Sequence, residues 1–364
     1  MSRWLPLPPL SPGDFAPDFT LATRHNPAFR FGTVAGRSVL LAFMPSAPSA
    51  RAAALAALQP RLTSFDGETL AAFFVAREPM SDSTTADRRP GIRWFFDPDG
   101  EVWRRYEALG DDGGERPRWI LLDRALRVLA TSPIDEPGPI IEGMDAILRA
   151  GDAPDPPPSA PALIVPRIFE PDLCRRLIDL YESQGGFESG VMREVDGKTV
   201  GVLDPMKSRR DANIDDPELR RELVVKLTDR LRPQIRRAYN FHATRIERYI
   251  VARYDAEEGG YFRPHRDNTT KGTAHRRFAV SINLNAEEFE GGDLRFPEFG
   301  QRTYRPPTGG AVVFCCSMLH EATPVTRGAR YAFLPFLYDD EGARIRQENL
   351  AFLDTTPSSV RDLR

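Results

Sequence analysis

The chain has 364 residues, 41% of them hydrophobic and 28% charged, with a formal net charge of −3. That length suits two domains better than one core, and the near balance of charge gives no general electrostatic reason to expect nucleic acid or an anionic membrane as partner. No stretch approaches the ~20 apolar residues of a membrane span and Met1 to Pro6 opens no signal-peptide run, so a cytoplasmic protein is expected.

Three cysteines, two of them adjacent, make no disulfide framework. Lysine occurs only at Lys198, Lys207, Lys226 and Lys271 among 49 basic residues, and with abundant Ala and Pro this points to a GC-rich bacterial genome. Gly151 to Pro161 is a proline-rich spacer that favours extended backbone. It predicts domains at 1–150 and 162–364, joined by a linker at 151–161.

In the first half, Ser38 to Phe43 and Leu70 to Val75 read as buried strands with an Ala-rich helix from Ala50 to Leu62 between them. Trp119 to Asp123 and Ala125 to Leu129 read as a hairpin, and Ile140 to Arg149 as a closing helix. This is a thioredoxin-like order. Gly13-Asp14-Phe15-Ala16-Pro17-Asp18-Phe19-Thr20-Leu21, then Phe95-Phe96-Asp97-Pro98-Asp99-Gly100 and Ile120-Leu121-Leu122-Asp123, resemble peroxiredoxins over most of residues 11–130. The resemblance places the family's proline, threonine and peroxidatic cysteine on Pro45, Ser49 and Ala52. Residues 1–173 contain no cysteine, and thiol peroxidase chemistry requires a thiolate. A catalytically retired domain is expected, kept for packing, partner binding or homodimerisation.

The second half opens with two helices. Pro171 starts one behind Glu170, with Leu173, Leu177 and Leu180 periodic. Pro217 starts another behind Asp216, with Leu219, Leu223, Leu227 and Leu231 on one face. Arg220, Arg221 and Arg230 interleave with Glu222 and Asp229, which predicts a solvated face rather than a basic patch. Strands are then expected at Arg245 to Tyr254, Arg277 to Asn285, Asp293 to Phe296, Ala311 to Cys316 and Arg330 to Tyr338. Phe278, Val280, Ile282 and Leu284 alternate with smaller or polar residues, as on a half-buried strand. So many strands without intervening helices predict an antiparallel sandwich or barrel.

His265-Arg266-Asp267 follows a Gly-rich approach, and residues i and i+2 of an extended backbone face the same side. His320 supplies a third ligand. Two imidazoles and one carboxylate suit Fe(II) and leave neighbouring positions open. Arg330 follows a turn at Thr326-Arg327-Gly328 that would bring its guanidinium back to the metal, where it can grip a carboxylate with two parallel hydrogen bonds.

His265-x-Asp267, Glu290-Gly291-Gly292-Asp293-Leu294-x-Phe296-Pro297, Gly310 to Phe314, His320, Pro324-Val325, Gly328 and Arg330-Tyr331 together resemble the prolyl 4-hydroxylase-like 2-oxoglutarate/Fe(II) oxygenases, over roughly 163–340. The resemblance implies a double-stranded β-helix (jelly roll) with flanking helices. It implies His265, Asp267 and His320 as iron ligands, and Arg330 and Tyr254 as holders of 2-oxoglutarate. The co-reactants would be Fe(II), 2-oxoglutarate and O2, with ascorbate as a stimulant. Many prolyl 4-hydroxylases carry lysine where Arg330 stands.

A C–H hydroxylase of a protein or peptide side chain, proline included, is the expected activity. A hydroxylase of a free amino acid or small metabolite is the alternative within the class. A non-catalytic redox or oxygen sensor is the alternative outside it. His25, His242 and His275 lack ligand partners in sequence, although His275 opens a strand and could face the cleft mouth. Cys315 and Cys316 read as core, Tyr261 as site wall or core, and Gly190 to Asn213 as substrate lid or solvated loop.

Overall fold

The computed structural model describes residues 10–78, 87–88, 90–150, 159–353 and 361–362. The chain divides into two compact units, Met1–Pro158 with Pro297–Gly300, and Ser159–Phe296 with Gln301–Arg364. Of the expected linker, residues 151–158 lie outside the described residues.

The first unit is a seven-stranded mixed sheet. Its strands are β1 (Thr20–Thr23), β2 (Phe29–Arg30), β3 (Ser38–Phe43), β4 (Leu70–Ala76), β5 (Ile92–Phe96), β6 (Arg118–Leu122) and β7 (Val128–Pro133), in the order β2-β1-β5-β4-β3-β6-β7. The central strands β3, β4 and β5 run parallel, while β6 and β7 form the expected antiparallel hairpin. Every residue of β3 and β4 is buried, because such parallel strands are covered on both faces. Of helices α1 (Pro48–Leu58), α2 (Glu101–Arg105) and α3 (Gly138–Ala150), α1 and α3 cover one face, where Ala54, Leu58, Ile140 and Met144 pack on Leu40, Phe74, Trp94 and Trp119. Phe19, Phe31, Phe73 and Phe95 form a separate aromatic cluster.

Two local expectations change. The Ala-rich helix ends at Leu58 and continues as a 3-10 segment to Ser64, since Pro60 lacks the N–H that an α-helix would use. Ala125 to Arg127 belong to the hairpin turn rather than to a strand. The Asp123 carboxylate accepts from the backbone N–H groups of Ala125 and Arg127, at 2.9 and 2.8 Å, and Leu126 takes a left-handed φ of 61°.

The second unit is built on two antiparallel sheets. One runs through strands Arg245–Glu247, Phe336–Tyr338, Phe278–Asn283, Ala329–Phe333, Ile250–Asp255, Arg210–Asn213 and Phe187–Glu188, with Ala311–Cys315 and Leu163–Val165 attached. The other contains Lys207–Ser208, Tyr261–His265, His320–Ala322, Leu294–Arg295 and Thr303–Tyr304. This is the expected jelly-roll architecture. Helices α4 (Pro171–Gln184), α5 (Pro217–Lys226) and α6 (Arg232–Tyr239) bury Leu173, Leu177, Leu219, Leu223 and Ile235 in one core with Val280, Ile282 and Phe333.

The leucine stripe is buried as predicted, but its helix is interrupted. Leu227–Leu231 is a π turn in which the Arg232 N–H reaches back to the Leu227 carbonyl. Pro233 has no N–H for the Asp229 carbonyl, which favours such a local rearrangement. Arg220, Arg221 and Arg230 pair with Asp215, Glu218 and Glu170 on the solvated face. Asp216 caps α5 through the Glu218 N–H, whereas Glu170 makes no side-chain cap and binds Lys226 and Arg230 instead.

The strand Phe278–Asn283 is not half-buried. Its apolar face packs on the helices, and Ala279, Ser281 and Asn283 are buried on the opposite face. The expected strand Arg245 to Tyr254 is two strands separated at Arg248, which has a left-handed φ of 66°. The expected strand Arg330 to Tyr338 likewise breaks around Leu334 and Pro335. Gly190 to Asn213 is not a loop: it holds a hairpin, Val191–Val195 with Lys198–Leu203, followed by two short strands. Among the described residues, no helix is long and apolar enough to cross a membrane.

Candidate active site

Strands Tyr261–His265 and His320–Ala322 lie side by side with His265 opposite His320, and their register shifts between Phe262 and His265. Pro264, which has no N–H to give the ladder, sits inside that irregularity. Asp267 follows, its N–H donating to the Cys316 carbonyl at 3.0 Å. The Asp267 carboxylate then lies 3.7 Å from His265 Nε2 and 3.2 Å from His320 Nε2. One donor atom from each residue falls within 4.8 Å of the others.

The two rings are held in the orientation a metal needs. His265 Nδ1 is 2.8 Å from the Arg263 carbonyl and His320 Nδ1 is 3.0 Å from the Met318 carbonyl. A carbonyl only accepts, so each Nδ1 carries the hydrogen, and in the neutral ring this leaves the Nε2 lone pair for a metal. Phe262 stacks on His265 with ring centroids 3.5 Å apart, and Phe314 packs on His320 at 4.5 Å.

Protonation states agree with this geometry. Burial, aided by the neighbouring His320, pushes the His265 imidazole down to about 3. Burial would raise the Asp267 carboxyl, but the His320 and His265 imidazoles outweigh it and hold the group well below the usual carboxylate range. Near neutral pH this leaves His265 uncharged and Asp267 ionised. The donor set of two imidazole nitrogens and one carboxylate fits Fe(II).

A cavity open to solvent has all three residues in its lining, together with Tyr254, Ser281 and Arg330. Arg330 is 3% exposed. Its Nε donates to Asn283 Oδ1 at 3.2 Å, Nη1 to the Gly292 carbonyl at 2.9 Å and Nη2 to Ser281 Oγ at 2.7 Å. Among the described residues no carboxylate pairs with it, so a buried cation faces the cavity without a counter-ion. Burial shifts its acid strength toward easier deprotonation. Tyr254 lies opposite Arg330 in the strand register, and the guanidinium carbon sits 5.3 Å from its ring centre.

The Glu290-Gly291-Gly292 stretch has a steric reason at this place. Gly291 has φ 68°, and a Cβ there would lie 2.1 Å from the Pro324 carbonyl oxygen. Only glycine allows the close approach of backbone that presents the Gly292 carbonyl to Arg330.

Other candidates fall elsewhere. His275 is 2% exposed and its Nε2 meets Glu247 Oε2 at 2.6 Å, outside the metal cavity. Tyr261 donates its hydroxyl to the Pro205 carbonyl at 2.6 Å and does not line that cavity. His25 pairs with Asp87 at 4.0 Å, and His242 is exposed. Cys174, Cys315 and Cys316 are free thiols, and burial pushes Cys174 up to about 12 and Cys316 well above its ordinary value. Ala52 is exposed on α1.

Sequence reasoning reached Arg209 only as part of the Gly190 to Asn213 lid or loop, and did not single out Arg248, Ser281 or Asn283 as site residues. Arg209 is buried, paired with Asp211, and reaches the Tyr254 hydroxyl at 3.4 Å; Arg209 and Arg248 both line the cavity. The polar alternation of Ser281 and Asn283 within an apolar strand was the available signal for the latter two.

Residues 249–338 match the family model of the 2OG-Fe(II) oxygenase superfamily. The chain is 28% identical over 212 residues to a PKHD-type hydroxylase of Cupriavidus metallidurans, covering 54% of this chain and 86% of that one. It is 27% identical over 176 residues to procollagen-lysine,2-oxoglutarate 5-dioxygenase 1 of Mus musculus, covering 47% of this chain but 23% of that protein. Among solved structures it is similar to a Pseudomonas putida prolyl-4-hydroxylase, with TM-score 0.38, 19% identity and coverage of 50% and 93% of the two chains. It is also similar to a Plasmodium vivax 2-Cys peroxiredoxin, with TM-score 0.31, 18% identity and coverage of 38% and 96%.

Proposed function

We propose that the 2OG-Fe(II) oxygenase domain of this chain is an active hydroxylase that holds Fe(II) through His265, Asp267 and His320. In this reading Arg330 and Tyr254 hold 2-oxoglutarate, and a protein or peptide side chain is the substrate. The observation that carries it is the convergence of two Nε2 lone pairs and a carboxylate beside a buried arginine that has no counter-ion. When bound, the iron supplies the activation of O2 that couples oxidative decarboxylation of 2-oxoglutarate to hydroxylation of a C–H bond.

The chain's own residues do the positioning. The Arg263 and Met318 carbonyls fix the tautomers of both imidazoles and so aim their free nitrogens at one point. Asn283, Ser281 and the Gly292 carbonyl hold the Arg330 guanidinium plane, so its remaining donors need little reordering to meet a carboxylate. Phe262, Phe314 and Leu294 line the cavity with apolar surface, which limits the water beside the reacting group.

The procollagen-lysine relative favours a peptide-borne substrate, with lysine, and proline from the prolyl 4-hydroxylase-like motifs, as the first side chains to test. We assign the first unit a scaffold role in substrate binding or dimerisation, and the protein to the cytoplasm of a bacterium. The test is mass spectrometry of cell extract incubated with the protein, Fe(II), ascorbate and 2-oxoglutarate. The reading expects peptides that gain one oxygen atom only when all components are present. A free amino acid as the sole oxidised product would favour the small-molecule alternative. Absence of any 2-oxoglutarate turnover would favour the sensor.

A further inference from the structure

Beside the metal cavity lies a second, open cleft, and Arg248 is in the wall of both. We infer that this cleft receives an acidic segment of the protein substrate and that Arg248 anchors a carboxylate next to the reacting side chain. The inference rests on the oxygenase reading for its orientation, since the metal site defines which end of the cleft is reactive.

Three observations about Arg248 converge. First, its backbone is left-handed, with φ 66° at a residue that has a Cβ. Such a conformation is uncommon outside glycine and asparagine, and it persists only where the surroundings enforce it. Here it breaks what would be one continuous strand into Arg245–Glu247 and Ile250–Asp255, which pair with different neighbours. Second, the side chain is committed only along one edge. Nε donates to the Leu334 carbonyl at 2.9 Å, and the guanidinium carbon sits 4.4 Å from the Phe336 ring centre. Third, no carboxylate pairs with it among the described residues. Burial, with Arg209 nearby, pulls its pKa down to about 10 against the opposing effect of the more distant Asp211 and Asp267 carboxylates, and it stays cationic at neutral pH.

The rest of the cleft has the same sign. Glu247 is its carboxylate, and both oxygens are already engaged. Oε1 accepts from Arg276 at 2.6 Å, while Oε2 meets His275 at 2.6 Å and Arg346 at 3.8 Å. Arg248, Arg276 and Arg346 therefore face one committed acid, and a ligand carboxylate meets an excess of guanidinium donors. Met192, Leu350 and Leu353 add apolar wall, as an extended peptide with mixed side chains requires. A neutral or basic segment would leave Arg248 without a counter-ion after losing its water.

The experiment uses the full chain and fluorescein-labelled hexaglutamate, with labelled hexaglutamine as the neutral control, read by fluorescence anisotropy. Hexaglutamate should bind at least ~10-fold more tightly than hexaglutamine, a ratio worth about 1.4 kcal/mol, and its affinity should fall with salt. Arg248→Gln should remove most of that preference. Arg248→Lys should restore part of it, and Arg346→Gln should weaken it severalfold if the first variant fails to fold. Arg245→Gln, an exposed arginine paired with Asp340, should leave binding unchanged. Equal binding of the two peptides, or a folded Arg248→Gln protein with wild-type affinity, would overturn the inference. Succinate formation from 2-oxoglutarate without peptide is measured on the same preparations. Its absence in the wild type would sink the oxygenase reading and leave the binding result to stand or fall separately. An Arg248→Gln defect in the KM for 2-oxoglutarate, with hexaglutamate binding intact, would assign Arg248 to the co-substrate and overturn the proposal.

Discussion

Replacing Arg330 by alanine separates two effects that the structure makes distinct. The guanidinium serves Asn283 Oδ1, the Gly292 carbonyl and Ser281 Oγ in a site 3% exposed. Removing it strands up to three buried polar groups, each costing about 1 kcal/mol or more unless water enters, so the fold should lose about 2–4 kcal/mol. The same deletion removes the cation that the account assigns to the co-substrate carboxylate. A charge-assisted hydrogen bond contributes about 1.5–3 kcal/mol, so the KM for 2-oxoglutarate should rise at least ~10-fold. Arg330→Lys keeps the charge but offers one nitrogen where three are placed, and should fall between wild type and alanine in both respects. The assay is initial succinate formation against 2-oxoglutarate concentration at saturating Fe(II), with bound iron measured in parallel and stability followed by urea unfolding. An unchanged KM together with reduced iron content would refute the reasoning, because it would place Arg330 in the metal's support instead.

Glu247 offers a pH test. Burial alone would raise its carboxyl, but His275 and Arg276 hold it at about 2, below its ordinary range. Its folded pKa is depressed, so its contribution is complete above about pH 4.5 and is lost as pH falls toward 2. The loss should amount to about 2–3 kcal/mol, and Glu247→Gln should flatten that part of the stability profile; an unaltered profile would contradict the pairing. Leu223→Ala, at a position with no exposure in the helical core, should cost about 2–5 kcal/mol in urea unfolding. A cost under ~1 kcal/mol would show that α5 packs differently. The first unit should consume no peroxide with dithiothreitol or thioredoxin in metal-free protein, because Ala52 cannot form a thiolate. Turnover lost on replacing Cys174, Cys315 or Cys316 would show that a cysteine from the second unit completes a peroxidase.

The metal ligands were legible because His265 and Asp267 stand two residues apart at and just past a strand end and His320 opens a strand, so local spacing carries them. Arg330 was legible through the turn at Gly328. The leucine stripe was readable because one-sided burial imposes a period on sequence, and β3 and β4 because burial on both faces leaves an unbroken apolar run. Arg248 had no such signal. Neither glycine nor proline marks the strand break beside it, and arginine is too abundant in this chain to stand out. The left-handed turn is enforced by two strands pairing with different partners, Phe336–Tyr338 on one side and Ala329–Phe333 on the other, which only the tertiary fold displays. The hairpin at Val191–Val195 and Lys198–Leu203 was hidden for a related reason. Its strands are mostly partly buried or exposed, so apolar alternation is weak. The π turn at Leu227–Leu231 could have been anticipated from Pro233, but its leucine spacing reads equally well as unbroken helix.

The most direct test of the central claim is metal stoichiometry and 2-oxoglutarate turnover measured together on wild type and on His265→Ala, Asp267→Ala and His320→Ala. The account predicts one Fe(II) bound per wild-type chain, succinate formed from 2-oxoglutarate, and loss of both in each folded variant. A folded His320→Ala protein that binds iron and forms succinate like the wild type would contradict it.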